Sequence, residues 1–277
     1  MQATSLLAEI NNDRKEMVEA LSVQIRVIKA MILREIKTRF WQNRLGYFWA
    51  IFDPCLHMLV WFVIIIGLRG GGARAPVHSV GPLEFLATGI LPYFIFIKTA
   101  KFISKSVTSN SGLMTYPIVK FLDVVFARFI LEGCTQIIVG ILVFAGLILC
   151  GYADMPKSIL GLFLPVTLLL FAGLGFGTMN AVFCCVSILY RDVLALSQRL
   201  LYFTSGVFFL GDSLPPGVQE WMSWNPIFHG VELFRSAYFA NYESSWANPW
   251  YLFIWGLMLF LFGLCVERLF RSKLKEE

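Results

Sequence analysis

Ile25-Arg-Val-Ile-Lys-Ala-Met-Ile-Leu-Arg-Glu-Ile-Lys-Thr-Arg-Phe-Trp-Gln-Asn-Arg44, then Leu45, then Gly46-Tyr-Phe-Trp-Ala-Ile-Phe-Asp-Pro-Cys-Leu-His-Met-Leu-Val-Trp-Phe-Val-Ile-Ile-Ile-Gly-Leu68, is the stretch that decides the fold. In its first half Ile25, Ile28, Ile32, Ile36 and Phe40 continue from Leu21 at spacings of three and four, the period of a helix. Arg26, Lys29, Arg34, Lys37, Arg39 and Arg44 lie between them. Residues 25–44 therefore predict a cationic amphipathic helix in the membrane interface, with its basic face toward lipid phosphates. Glu35 and Arg39 are four apart, the favourable orientation for a helical ion pair. The second half is apolar over the roughly 20 residues that cross a bilayer. Tyr47 and Trp49 suit the headgroup level. Asp53 is costly in hydrocarbon and must face protein or water.

Composition extends this reading to the whole chain. Of 277 residues 57% are hydrophobic, and mean hydropathy is +0.69. These values predict one polytopic, all-α membrane domain. Cys55, Cys134, Cys150, Cys184, Cys185 and Cys265 lie in or beside apolar runs without CxxC spacing, so they read as free, buried, small hydrophobes. Met1–Ala20 lacks the apolar core of a secretory signal, and residues 1–24 read as a loose cytosolic lead-in.

Onward along the chain, Arg69–Pro82 is a Gly/Pro loop without the Lys-Ser/Thr of a phosphate loop. Leu83–Ile103 is a second span, and a polar Ser/Asn/Gly segment follows to Lys120. Phe121–Cys150 is too long for the bilayer core, so its start, with Asp123, Arg128 and Glu132, should project on the cytosolic side. Arg128 and Glu132 are four apart, and an ion pair is preferred to a proton relay. Gly151–Lys157 is a short external turn. Ile159–Ile188 is the fourth span, and Gly173-Leu-Gly-Phe-Gly177 within it reads as a small-residue packing face rather than a nucleotide loop. Tyr190-Arg191-Asp192 reads as a cytosolic connection to a weakly apolar fifth span, Val193–Leu210. The segment 211–249 is too polar to span and too rich in Trp for a plain loop. It predicts two short helices that dip into the outer leaflet and return. Trp250–Val266 is the sixth span, and 267–277 is a cytosolic tail. With this topology Arg69, Arg74, Lys157 and Arg235 lie on one side and the other 19 of 23 Lys and Arg on the opposite side. The positive-inside rule then places both termini in the cytosol.

Arg34-Glu-Ile-Lys-Thr-Arg-Phe40, Arg44-Leu-Gly-Tyr-Phe-Trp-Ala50 and Asp53-Pro54 closely resemble permease subunits of type 2 ABC exporters, nearest the capsular-polysaccharide, KpsM-like branch. The resemblance implies a transmembrane domain over 45–266, including the external segment 211–249. It implies a homodimer in the inner membrane, driven by a separate KpsT-like ATPase that binds ATP and Mg. This chain would bind no cofactor of its own. Coupling to the ATPase would use Arg34, Lys37 and Arg39 of the interface helix and Ser109, Asn110, Ser111, Gly112, Leu113, Met114, Tyr116 and Pro117 of the loop after span two. A KpsE-like periplasmic co-polymerase would meet the Trp-rich segment at Trp221, Trp224 and Arg235. The substrate would be a lipid-linked polysaccharide.

Aromatic faces let sugar rings slide without strong anchors. The candidate path is Tyr47, Trp49, Phe52, Asp53, Trp61, Tyr93, Phe94, Tyr202, Phe203 and Phe208. Asp53 and His57 share a helix face, and a polar patch toward pore or partner helix is preferred to a proton or metal site. No Walker, HExxH, GxSxG or EF-hand pattern occurs, so no catalytic or metal residue is assigned. The other readings are an exporter of O-antigen, teichoic acid or drug, and a membrane-embedded transferase. No HxxxxD or DDxxD set supports the transferase. A proton-coupled carrier lacks the mid-span acids and inverted repeats it needs.

Overall fold

In a computed structural model of the chain, residues 2–41, 46–68 and 80–271 are described. The side chains of 2–13, 39–41, 46, 47, 66 and 68 lie outside that description. The described residues are helical, with no strand among them. The helices are α1 (Gln2–Trp41), α2 (Gly46–Leu68), α3 (Pro82–Ser104), α4 (Ser111–Met114), α5 (Phe121–Leu149), α6 (Phe163–Val186), α7 (Ile188–Thr204), α8 (Pro216–Ser223), α9 (Pro226–Tyr238) and α10 (Pro249–Phe270). A 3-10 turn, Gly211–Ser213, precedes α8.

Five of these, α2, α3, α5, α6 and α10, are long and apolar enough to cross a membrane. The predicted fifth span is not among them. It forms α7, which starts earlier, at Ile188, and ends at Thr204. Seventeen residues make about 26 Å of helix, short of the roughly 30 Å core. The shift has a local cause. Ser187 alone separates α6 from α7, in an extended conformation, and its Oγ accepts the Tyr190 N–H as an N-cap. Tyr190 and Arg191, predicted to be connecting loop, are the first turn of α7. Arg191 Nε donates to the Cys184 carbonyl at 2.7 Å, and Tyr190 Oη donates to Asn180 Oδ1. One orphan carbonyl at the end of α6, that of Cys184, is thus satisfied by α7 itself.

The bundle has an inner pair. The spans α3 and α6 are 83% and 72% buried, against 11% for α2 and 22% for α10. In lipid no hydrophobic force pulls apolar helices together, so close backbone approach must do it. Gly173 and Gly177 face α3, where a Cβ would meet the Phe96 and Ala100 carbonyls at 2.9 Å. Gly175, on the opposite side of α6, lies against Gly256 of α10 with no room for a Cβ. The expected small-residue face is therefore two faces, one for each neighbour.

The N-terminal segment is one helix of 40 residues, so the predicted lead-in 1–24 is continuous with 25–41 rather than loose. No Gly or Pro interrupts it. Met31 is buried among Val124 and Ala127 of α5, and Val27, Ile28 and Ile32 pack beside it. The loop 69–79, residues 42–45 with Arg44, and the tail 272–277 lie outside the described residues. The cysteines are free, but Cys55, Cys134, Cys150 and Cys265 are exposed, contrary to the expected burial. A small hydrophobe on a helix that faces lipid has no need to be buried.

Candidate substrate path and coupling surface

Three helices converge on a groove filled by aromatic side chains, of which Tyr93, Phe94 and Tyr202 are buried. Helices α2 and α7 flank one face of α3, and side chains from all three meet near mid-span. His57 Nε2 of α2 lies 2.8 Å from Tyr202 Oη of α7, and Trp61 Nε1 lies 3.3 Å from the same imidazole nitrogen. Tyr93 of α3 packs on Tyr202 with ring centroids 4.8 Å apart and donates its hydroxyl to the Gln198 carbonyl at 2.9 Å. Phe94 lies against His57 at 5.3 Å. Trp61 packs on Phe208 at 4.3 Å, and Phe203 adjoins both. Six of the predicted path residues, Trp61, Tyr93, Phe94, Tyr202, Phe203 and Phe208, are therefore one contiguous cluster, joined by His57.

The others lie elsewhere. Trp49 and Phe52 stack with Phe48 in a separate exposed group at the start of α2. The side chain of Tyr47 is outside the described set. Asp53 forms an ion pair with Lys98 of α3 at 2.5 Å, one turn from His57 and nearer the basic end. Lys98 also lies over the Phe94 ring at 4.7 Å. The sequence offered no sign of this pair, because the register between two helices is not written in either one.

Helices α2 and α7 each keep an apolar face outward. On α7 it runs through Ile188, Leu189, Val193, Leu196, Leu200 and Phe203, and on α2 through Leu56, Leu59, Val60 and Val63. The cluster thus sits at the edge of the bundle rather than at its centre.

At the basic end, the loop between α3 and α5 divides by side. Asn110 is buried, with Nδ2 donating to the Ser106 carbonyl and Oδ1 accepting from Arg34 of α1 at 3.3 Å. Leu113 and Met114 pack toward α1. Ser109, Gly112, Tyr116 and Pro117 face outward, with Ile118, which sequence reasoning did not single out. Ser111 is half-buried and Lys37 is exposed, while the side chain of Arg39 is outside the described set.

Arg128 ties this end together. Its Nη2 pairs with Glu35 of α1 at 2.8 Å, and its Nη1 donates to the Phe102 carbonyl of α3 at 3.1 Å. The i, i+4 spacings suggest Glu132 as a partner of Arg128 and Arg39 as that of Glu35; the side chain of Arg39 lies outside the described residues, and the Glu35–Arg128 pair joins two helices. Gln24 of α1 adds a bond to Asp123, whose carboxylate also caps α5 at the Lys120 N–H.

At the far end α7 breaks at Gly206, whose φ of +77° is left-handed. The carbonyls freed there are taken by Arg235 of α9. Nη1 donates to Gly206 and Phe209 at 2.6 and 2.8 Å, and Nη2 to Val207 at 2.8 Å. The guanidinium lies over Phe85 and beside Glu232, whose other oxygen accepts from Tyr242. Arg235 is fully buried, so its predicted role as a partner contact is corrected. A helix end inside an apolar bundle needs donors, and this residue supplies them. Trp221 of α8 and Trp224 at its C-cap are 82% and 78% exposed.

Comparison with known proteins covers almost the whole groove. Residues 26–239 match the family described as ABC-2 type transporter. The chain is 32% identical over 252 residues to the capsule polysaccharide export inner-membrane protein CtrC of Neisseria meningitidis serogroup B, covering 90% of this chain and 92% of that one. It is 32% identical over 246 residues to the polysialic acid transport protein KpsM of Escherichia coli, covering 89% and 94%. It is 28% identical over 263 residues to the capsule polysaccharide export inner-membrane protein BexB of Haemophilus influenzae, covering 93% and 96%.

Proposed function

The chain belongs to the ABC-2 type transporter family, and we propose from that premise that it is the permease of an ATP-driven exporter that carries a lipid-linked capsular polysaccharide out across the bacterial inner membrane. The observation that carries this reading is the aromatic cluster of α2, α3 and α7, taken with the export functions in the names of the relatives. Aromatic faces with few charged groups suit a sugar chain that must slide.

Two copies of the chain pack their α2 and α7 faces together and enclose the path, in the inner membrane with both termini cytosolic. Helix α7 and the residues beyond Gly206 complete the sixth crossing, and α8 and α9 lie in the outer leaflet. The exposed apolar rows on α2 and α7 support the dimer, and the gathering of basic residues around α1 and α4 supports the sidedness.

A separate ATPase chain, with ATP and Mg, docks on Ser109, Gly112, Tyr116, Pro117 and Ile118, beside α1 with Arg34 and Lys37. Its closure moves the loop as a rigid body. Arg34–Asn110 carries the motion to α1, and Glu35–Arg128–Phe102 carries it to α5 and α3. Lys98–Asp53 then passes it to α2, and the groove changes width. Trp221 and Trp224 meet the periplasmic co-polymerase.

The test is to delete the chain and measure surface polysaccharide and intracellular lipid-linked polymer together. Loss outside with accumulation inside is expected. Normal surface polymer with no internal pool overturns the capsule reading and turns attention to O-antigen or another cargo.

A further inference from the structure

We propose that the cavity between α3 and α7 at the basic end of the groove binds the anionic, phosphate-bearing headgroup of an amphiphile. The cavity has a volume of about 340 Å³. Lys101 of α3 and Lys105 at its C-cap line it with Arg191, Leu194 and Gln198 of α7, and no carboxylate is among its lining residues. Among the described residues no carboxylate pairs with any of its three cations. Lys98, one turn before Lys101 on α3, is by contrast paired with Asp53. The bond from Arg191 Nε to the Cys184 carbonyl fixes the guanidinium at the wall and leaves its two terminal nitrogens for a ligand. Three uncompensated cations around one concavity attract an anion strongly.

The surroundings point to an amphiphile. On the same turns of α7, Ile188, Leu189, Val193 and Leu196 are exposed and apolar, a surface for acyl chains. On the inner side Gln198 belongs to both cavity and groove, because its carbonyl holds the Tyr93 hydroxyl. A headgroup seated on the three cations has its acyl chains along α7 and presents whatever it carries to the aromatic cluster. Thr108 and Ser109 of the coupling loop also line the cavity, so occupancy is felt where the ATPase docks. This assignment deepens the reading of the groove as an export path and rests on it.

Binding is measured directly, apart from export. The full-length chain is held in phosphatidylcholine nanodiscs and titrated calorimetrically with dihexanoyl phosphatidylglycerol, with dihexanoyl phosphatidylcholine and with inorganic phosphate. The phosphatidylglycerol should bind at least tenfold more tightly than either of the others. The Lys105→Gln, Arg191→Gln double variant should lose that preference, and Lys157→Gln at the opposite end should keep it. If the double variant does not fold, as judged by its melting profile, Lys101→Gln and Lys105→Gln singly should each weaken binding severalfold. Equal binding of the two lipids, or a preference that survives these changes, overturns the proposal. Inorganic phosphate binding as tightly as phosphatidylglycerol overturns the amphiphile and leaves a free-phosphate site. A charge-dependent lipid preference in a protein whose deletion leaves capsule intact would sink the capsule reading and keep the anion site.

Discussion

The α3–α6–α10 body and the α2–α7 groove are built from similar residues and behave oppositely. In the body, backbone meets backbone at Gly175 and Gly256, and little space remains for a side chain. In the groove, α2, α3 and α7 meet largely through large rings and a few polar bonds. Bundles held by small residues at their contacts are rigid, because closely packed atoms leave no second arrangement. Ring-to-ring contacts with an outward apolar face leave room to part and repack. The body is suited to be a fixed wall, and the groove to be the moving one.

The largest effect that would test this contrast is at Gly175. Its Cβ has no space against Gly256, so Gly175→Leu should remove the protein from the membrane fraction, as an immunoblot would show. In the groove Phe203, half-exposed, should tolerate Phe203→Ile with normal abundance while polysaccharide export falls severalfold. Equal abundance for both variants would erase the distinction.

Next in size is the lock at the head of α7. Arg235→Leu strips donors from three carbonyls and leaves Glu232 without its buried partner, a loss of about 3–5 kcal/mol. The melting temperature in detergent should drop sharply, and Arg235→Lys should not restore it, since one ammonium cannot reproduce the fork. A wild-type melting profile for Arg235→Leu would show that the groove does not depend on this anchor.

Glu35→Gln comes third. It removes the carboxylate with which Arg128, buried at the α1–α5 contact, pairs across the two helices. Stability should fall by about 1–3 kcal/mol, the scale of a charge-assisted bond at a partly exposed site. If Arg128 also transmits the stroke, ATP hydrolysis by the assembled transporter should continue while export declines. Both activities falling in parallel would assign the pair to folding alone.

The smallest effect on the fold is expected at α8. Trp221 and Trp224 are almost fully exposed, so Trp221→Ala with Trp224→Ala should change stability by less than about 0.5 kcal/mol for each site. A fall in surface polymer with normal transport in isolated vesicles would place the periplasmic partner there. No change in cells would remove that contact from the reading.

Five of the six expected spans could be read from length and apolarity, which are properties of single segments. The two helices of 211–249 were likewise within reach of composition, whereas the glycine run was expected to present one packing face and presents two. Helix α7 was not within reach, because its apolar content is diluted by Arg191, Asp192, Gln198 and Arg199, and its start depends on the single extended residue Ser187. Arg235 looked like a surface cation since a charge in a Trp-rich stretch has no visible partner. Its partners are carbonyls of another segment, released by a left-handed glycine.

By itself the sequence determined that this is a multi-pass helical protein, basic at one end, with aromatic residues spaced along three of its helices. Apolar runs, helical periods and charge are local, and the bilayer converts them into spans without further information. Only the tertiary structure decided which aromatics share one groove, that Asp53 answers Lys98, and that Glu35 answers Arg128. These depend on the axial register and rotation of one helix against another, which packing contacts set far apart in the chain.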